Sequence, residues 1–555
     1  MSLPSSSLGR QLLVFVTGLV VCAPILHCVG DDPVVGGASS SGDAGGSSSG
    51  GSSSGGSSSG GSSSGGSSGS DAGDAGDVPP PSTGKTIWSK IYPKTSTAGG
   101  MAADAAGNAY VAMRFSGNNV DFGGKTLSST GDDMALVKLD PNGVALWAVP
   151  FASDQVDLGM SVTVDGAGSV FVAGQFNGLT LIAGPPGSTK SLNGTSGNGN
   201  GYVAKVRASD GGVEWLQGLT GNAGTTTRCT SIAFGGGKIG VGCETSSPSV
   251  NVPGIGAQSR GAGFAIDLVV MRLDPATGAA DWVNRLGGST GGGASGDERM
   301  GGVGVGPTGD VVVAGTLASP TLSDTKASIS VGKVGPAASS NVFVVRLAGG
   351  TGQQIWTKLF SPPAAGPGFV ISGPIAVRAD SVYTTGTFGG QVDFKKAALS
   401  PLGTADAYAL GLDLADGQTR WVHRIGGTAS SALNEIGMAV AIDRWGQVVF
   451  GGQHMSPDAA VDAKPFSGTL PTVEQPSGGS SFFLVKCSGA GDVLYAKSFA
   501  PAVTSDASAP SAMSFAQDGS LRITGYLQGT VTYDGVNPLA SEVASPNQIM
   551  LSLAP

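Results

Sequence analysis

Histidine is almost missing from this chain: His27, His423 and His454 are the three in 555 residues. The first falls in a predicted export segment. Two are left for the mature chain, which leaves little room for histidine metal centres or a Ser-His-Asp arrangement. Charge is sparse too. Asp, Glu, Lys and Arg make up 12% of the residues, the net charge is −9 and no basic stripe is present, which argues against nucleic acid as a partner. Aromatic residues make up 6%, and no two of the five cysteines are adjacent. The apolar run from Leu12 to Leu26 is too short for a comfortable membrane span. Glycine, by contrast, is abundant, with 95 residues, many of them at turns between short apolar segments. Many turns between many short strands predict an all-β chain.

Residues 1–28 read as an export signal, with Arg10 ahead of the apolar run. Cys28 follows that run and is succeeded by Val29-Gly30-Asp31-Asp32-Pro33, an arrangement that resembles the start of a bacterial surface lipoprotein. The resemblance implies a lipid on Cys28, and so an exported chain held on the outer leaflet of a bacterial membrane, at the cell surface or in the periplasm. Simple secretion and a retained anchor are the alternatives. Residues 29–84 are a tether of Ser-Ser-Ser-Gly-Gly repeats, then Asp71-Ala72-Gly73-Asp74 and Pro79-Pro80-Pro81. Nothing apolar offsets the entropy of ordering it. Roughly fifty such residues reach about 40 Å.

Residues 85–555 repeat a unit of about seventy residues. Its clearest copy runs Gly159-Met160-Ser161-Val162-Thr163-Val164-Asp165, a Gly turn, Ser169-Val170-Phe171-Val172-Ala173-Gly174, then Tyr202-Val203-Ala204-Lys205-Val206 and Gly212-Val213-Glu214-Trp215. Each unit supplies four strands. Turns such as Gly166-Ala167-Gly168 and Pro307-Thr308-Gly309 suit a three-residue hairpin with glycine in the left-handed conformation. The chain enters on an aromatic strand at Trp88 and ends on a third strand, Ile549–Leu553. If Ile87-Trp88-Ser89 completes the last sheet, seven four-stranded antiparallel sheets close into a ring with only short edges.

Gly107 to Gly143, with Val120-Asp121-Phe122-Gly123-Gly124 and Leu136-Val137-Lys138-Leu139-Asp140, resembles the SBBP repeat of bacterial seven-bladed β-propellers. Leu273-Asp274-Pro275 through Trp282, and Leu412-Asp413 through Trp421, are similar to the tryptophan-docking motif of quinoprotein-type propellers. The resemblance implies a seven-bladed β-propeller and no particular activity. Dehydrogenases of the quinoprotein group carry eight blades, an adjacent cysteine pair and calcium. Seven blades and no adjacent cysteines predict that this chain takes no quinone cofactor and no metal. The copies diverge: Tyr495 stands for Trp, and Phe234 is read as replacing the turn Asp.

The recurring aromatics, Trp88, Trp147, Trp215, Trp282, Trp356, Trp421 and Tyr495, are expected to pack between neighbouring blades rather than to stack on a ligand. Cys229 and Cys243 lie on two arms of one hairpin. With Phe234 opposite Lys238 they face each other, and a disulfide is expected. The basic residues Lys138, Lys205, Arg272, Arg346 and Lys486 share one strand position and are expected to pair with local acids. Asp132-Asp133 and Asp297-Glu298 are candidates for acid/base or calcium chemistry but lack the alternating oxygen ligands of a calcium loop. No catalytic residue is assigned. The second-to-third and fourth-to-first connections are expected to be long loops sharing one face, among them Ala148–Leu158, Gly221–Thr227, Gly287–Arg299, Ser361–Phe369 and Gly426–Glu435. Their Gly, Ser, Thr and Asn content suits a protein or carbohydrate ligand. The expected role is a surface-tethered binding module. The rivals are an exported polysaccharide lyase or hydrolase, a quinone-dependent oxidoreductase, and a structural coat or adhesion component.

Overall fold

The computed structural model describes residues 79–81, 83–195, 199–259, 266–288, 296–366, 368–428, 435–462, 464–469, 479–501, 503, 505–534, 538–541 and 546–555. The export segment, Cys28 and nearly all of the tether lie outside them. Among the described residues every regular element is a strand.

Among the described residues seven sheets of four or more strands recur, each with four antiparallel main strands, beside three two-stranded ones. The strand order in each is first, second, third, fourth. The first sheet uses Thr95–Ala103, Ala109–Ser116, Asp132–Leu139 and Ala145–Ala152. The second uses Asp157–Val164, Ser169–Phe176, Asn200–Arg207 and Val213–Gly221. The third uses Thr227–Gly235, Lys238–Thr245, Asp267–Leu273 and Ala280–Gly288. The fourth uses Arg299–Val305, Val311–Leu317, Asn341–Leu347 and Gln354–Phe360. The fifth uses Phe369–Arg378, Ser381–Gly389, Asp406–Asp413 and Thr419–Gly426. The sixth uses Ile436–Ile442, Val448–His454, Ser481–Cys487 and Val493–Phe499. The seventh takes Ala507–Phe515, Leu521–Gln528 and Asn547–Leu553 from the end of the chain, and its fourth strand, Thr86–Tyr92, from the beginning. That last pairing runs from Trp88↔Ser552 to Tyr92↔Gln548. Each first strand packs on the first strand of the next sheet, and Ala507–Phe515 packs on Thr95–Ala103.

Alternating side chains of the middle strands fill the spaces between sheets. Phe171 and Val203 of the second sheet cluster with Ile232, Val241 and Val269 of the third. In every first strand the pairing with the second slips, as at Gly159/Ser161, Cys229/Ser231, Met300/Gly302 and Gly437/Ala439. A bulge of this kind bends the strand and increases its twist. It also explains the glycine that ends the second-strand motif. A Cβ on Gly174 would lie 2.0 Å from Leu158 O and 2.6 Å from Tyr202 Oη, so only glycine fits there.

Two sequence expectations change. The Ala148–Leu158 segment is mostly strand: residues up to Ala152 and from Asp157 onward are paired, which leaves a four-residue connection. The Gly221–Thr227 connection is similarly short. Gly287–Arg299, Ser361–Phe369 and Gly426–Glu435 lie partly outside the described residues, and the connections between second and third strands are the long ones expected. They fold as hairpins that reach the preceding sheet. Thr180–Ala183 pairs with the fourth strand of the first sheet, Ser249–Val252 with that of the second and Thr321–Asp324 with that of the third. Such a hairpin covers an outer edge that would otherwise present unpaired backbone groups. The second change concerns Phe234. It pairs with Ile239, and Gly235 pairs with Lys238, so Gly235 rather than Phe234 occupies the turn-Asp position. The turn is the two-residue Gly236-Gly237, both at positive φ.

Candidate functional site

The recurring aromatics form one repeated contact. The Nε1–H of Trp147 donates to Ala208 O, that of Trp215 to Pro275 O and that of Trp282 to Gly349 O, at 3.1, 3.1 and 2.7 Å. Trp356 donates to Leu414 O, Trp421 to Gly489 O and Trp88 to Pro141 O, at 2.9, 3.1 and 2.9 Å. In each case the acceptor is the turn between third and fourth strands of the following sheet, and the ring lies against a turn glycine such as Gly211, Gly278, Gly352 or Gly491. The Tyr495 ring lies likewise against Gly84, where the turn of the seventh sheet is replaced by the segment leading into Thr86–Tyr92 and the one following Asn547–Leu553. There Thr83 N–H and Gly84 N–H donate to Pro555 O.

The recurring basic residues are locally committed. Lys205 pairs with Glu214 at 3.0 Å, Arg272 with Asp281 at 3.0 Å and Arg346 with Asp310 at 2.6 Å. Lys486 lies 3.6 Å from Asp443, both buried, and Lys138 donates to Ala208 O. They make no open cationic ring. The sulfurs of Cys229 and Cys243 are bonded, and the two residues pair directly across the hairpin. The one-residue shift at Phe234 and the bulge at Thr230 cancel, so the pairing expected from a different register is the one present. Cys487 is buried on its third strand.

The two acid pairs singled out in the sequence divide their work. Asp132 binds Arg114 and Asp297 binds Arg299. Their neighbours Asp133 and Glu298 are buried, each facing a carboxyl of an adjacent sheet. Asp133, Asp267 and Asp406 begin third strands at one register position. Asp157, Glu298 and Glu435 stand at the start of the first strand in the next sheet. The outcome is three buried carboxyl pairs: Asp133/Asp157, Asp267/Glu298 and Asp406/Glu435, between sheets one and two, three and four, and five and six. Desolvation dominates in all five; the opposing carboxylate adds to it for Asp157, Glu298 and Glu435, while Asp132 and Asp458 add to it for Asp133 and Asp406. Asp157 and Glu435 are pushed up to about 8, Glu298 to about 7, and Asp133 and Asp406 to about 6. At the junction between sheets two and three the same two positions are Asn200 and Thr227. The sequence held a partial signal for this layer: Asp133 and Asp267 lie five residues before the recurring basic residues Lys138 and Arg272, while Asp406 stands five before Gly411.

On the first strands Leu158, Arg299 and Ile436, each one residue beyond a junction acid, and Arg228 and Ile371 at the matching position remain partly exposed. Arg228 and Arg299 share the buried Glu244, which also accepts Met300 N–H at 2.8 Å. This rim is part aliphatic and part basic, with the charge nearly balanced. Among the described residues no group of three or more His, Cys, Asp or Glu is placed to hold a metal ion. His454 accepts from or donates to Ser498 Oγ at 2.6 Å and His423 contacts Asp462 at 2.6 Å, so a Ser and an Asp each meet a histidine, but not the same one.

No family profile matches the sequence, and no curated protein matches it. Solved structures do. A quinohemoprotein alcohol dehydrogenase from Comamonas testosteroni is 13% identical, covers 84% of this chain and 76% of its own, and has a TM-score of 0.34. The WD40 domain of Neurospora crassa Pan2 is 9% identical, with 85% and 95% covered and a TM-score of 0.34. A Dyadobacter fermentans protein of unknown function is 8% identical, with 85% and 99% covered and a TM-score of 0.37. None of these carries an activity to this chain.

Proposed function

We propose that the chain is an exported seven-bladed β-propeller, closed by Thr86–Tyr92 in the last blade, that acts as a binding module for a protein or carbohydrate. It is held at the cell surface by a lipid on Cys28 and by the tether. The closure reading is supported by the register between Thr86–Tyr92 and Asn547–Leu553 and by the packing of Ala507–Phe515 on Thr95–Ala103.

One observation carries the functional reading. Gly84 and Pro555 meet in the place of a third-to-fourth turn, so the tether leaves from the face that bears the short turns. The opposite face, with the first-strand rim and the connections between blades, is then turned away from the anchoring surface. Binding residues concentrate on such connections over a rigid scaffold. The junction carboxyls are sealed between blades, which disfavours a polysaccharide-cleaving role for them.

Mass spectrometry of the mature N-terminus tests the anchor: a diacylglyceryl mass on Cys28 is expected, and an unmodified N-terminus downstream of it overturns it. A glycan array and a surface pull-down test the module. Ile371→Asp on the rim is expected to abolish the capture that the wild-type chain shows. Capture unaffected by that change moves the ligand elsewhere.

A further inference from the structure

The contact between the fifth and sixth sheets contains two buried carboxyls, each with one oxygen lacking a hydrogen-bond partner among the described residues. Glu435 is wholly buried just ahead of Ile436–Ile442, and its backbone N–H reaches Ala405 O. Its Oε1 accepts from Ser456 N at 3.3 Å and from Ser456 Oγ at 2.5 Å, while its Oε2 is buried with no hydrogen-bond partner among the described residues. Across the junction stands Asp406, also wholly buried, whose Oδ2 accepts from Leu402 N–H and whose Oδ1 has no such partner either. One guanidinium, Arg424, lies 3.7 Å from Asp406. Asp458, held by Thr428 N–H and Oγ, adds a further negative charge nearby. Two buried carboxyls beside one cation leave one negative charge uncompensated unless a proton stays.

On the outer strand the same two sheets are joined by His423. Its Nδ1 meets Asp462 Oδ2 at 2.6 Å and its Nε2 meets Gly491 O at 2.7 Å, both on the sixth sheet's connections. A carbonyl can only accept, so Nε2 carries a hydrogen, and the Asp462 carboxylate favours one on Nδ1 as well. Burial opposes the charge, but Asp462, Gly491 O and the more distant Asp492 outweigh it and raise the imidazole above its ordinary value.

We propose that this junction is a proton latch: protonated Glu435 and His423 hold the sixth sheet against the fifth, and loss of their protons in mild alkali loosens it. Both groups act in the same direction. Each keeps its proton in the folded state at a pH where the unfolded chain has released it, so the contact weakens as pH rises. The junction between sheets seven and one, built on Asn547 and Thr95, has no such pair and serves as the internal reference.

The test is hydrogen exchange on the full chain at pH 6 and pH 9, corrected for intrinsic rates. Protection in Ile436–Ile442 and Val448–His454 is expected to fall at least tenfold more than in Asn547–Leu553. Glu435→Gln, which keeps the shape of the neutral acid, is expected to remove most of that difference. Asp406→Asn, which removes the opposing carboxyl, serves as a second variant should the first fail to fold. Equal loss in both regions, or an unchanged difference in a folded Glu435→Gln or Asp406→Asn chain, overturns the proposal.

Discussion

Tyr495 lies against Gly84 as Trp421 lies against Gly491, although Gly491 sits in a continuous turn and Gly84 in a junction where Pro555 O accepts from its N–H. A Cβ on Gly84 would stand 3.0 Å from the Tyr495 ring, and its φ of +54 lies in the left-handed region. Asp534 reinforces the spot by accepting from Thr86 N–H and pairing with Lys497 at 3.2 Å. Gly84→Val is therefore expected to strain the backbone and displace the ring. A loss of about 1–3 kcal/mol is expected for forcing a branched residue there. Thermal unfolding followed by circular dichroism checks it, and limited proteolysis should cut near residue 85 first.

Trp282 separates packing from hydrogen bonding. It is 4% exposed, and its Nε1–H donates to Gly349 O. Trp282→Phe keeps most of the apolar area and leaves that buried carbonyl without its donor, at a cost of about 1–3 kcal/mol. Trp282→Ala also opens a cavity and is expected to cost about 3–5 kcal/mol. Urea unfolding of the two variants gives the ordering. A phenylalanine variant as unstable as the alanine one would put the hydrogen bond ahead of the packing.

The Cys229–Cys243 bond closes a short loop, with a sequence separation of 14. Chain-entropy arguments place its contribution near 3 kcal/mol for a loop of this length. The hairpin is already paired on both sides, so Cys229→Ser with Cys243→Ser is expected to lower stability by up to about that much without changing the fold. Intact mass with and without reductant counts the bond, and thermal unfolding measures its effect.

At low pH a different residue is in control. His454 is wholly buried, and burial pushes it down to about 4, with Ser498 Oγ and Ser456 O as its neighbours. A depressed histidine contributes stability above its unfolded value, and that contribution is lost as pH falls towards about 4. Asp157, Glu298 and Glu435 have the opposite slope, losing their contribution as pH rises from about 4 through about 7–8. The melting temperature is therefore expected to fall between pH 6.5 and 8.5. His454→Gln is expected to reduce the loss of stability below pH 6. A melting temperature that rises from pH 6.5 to 8.5 would contradict these assignments.

Much of the architecture was legible because it is written in short periods. The Trp88-to-Tyr495 series, the turn glycines Gly107, Gly168, Gly309 and Gly446, and the offset between the entering and final strands follow from local residue types and spacing. The register at Phe234 was misread because a two-residue Gly236-Gly237 turn and a three-residue turn leave similar glycine patterns. The hairpins on the outer edges were missed because their strands are two to four residues long, too short for a periodic signal.

The amino-acid order alone set the strands, the turns and the repeated aromatic, because each depends on neighbours a few residues apart. The pairing of Asp133 with Asp157, of Asp406 with Glu435 and of His423 with Asp462 was decided by the packing of one sheet on the next. Their ionisation depends on burial and on a second charge brought from another sheet, and neither is a property of local sequence.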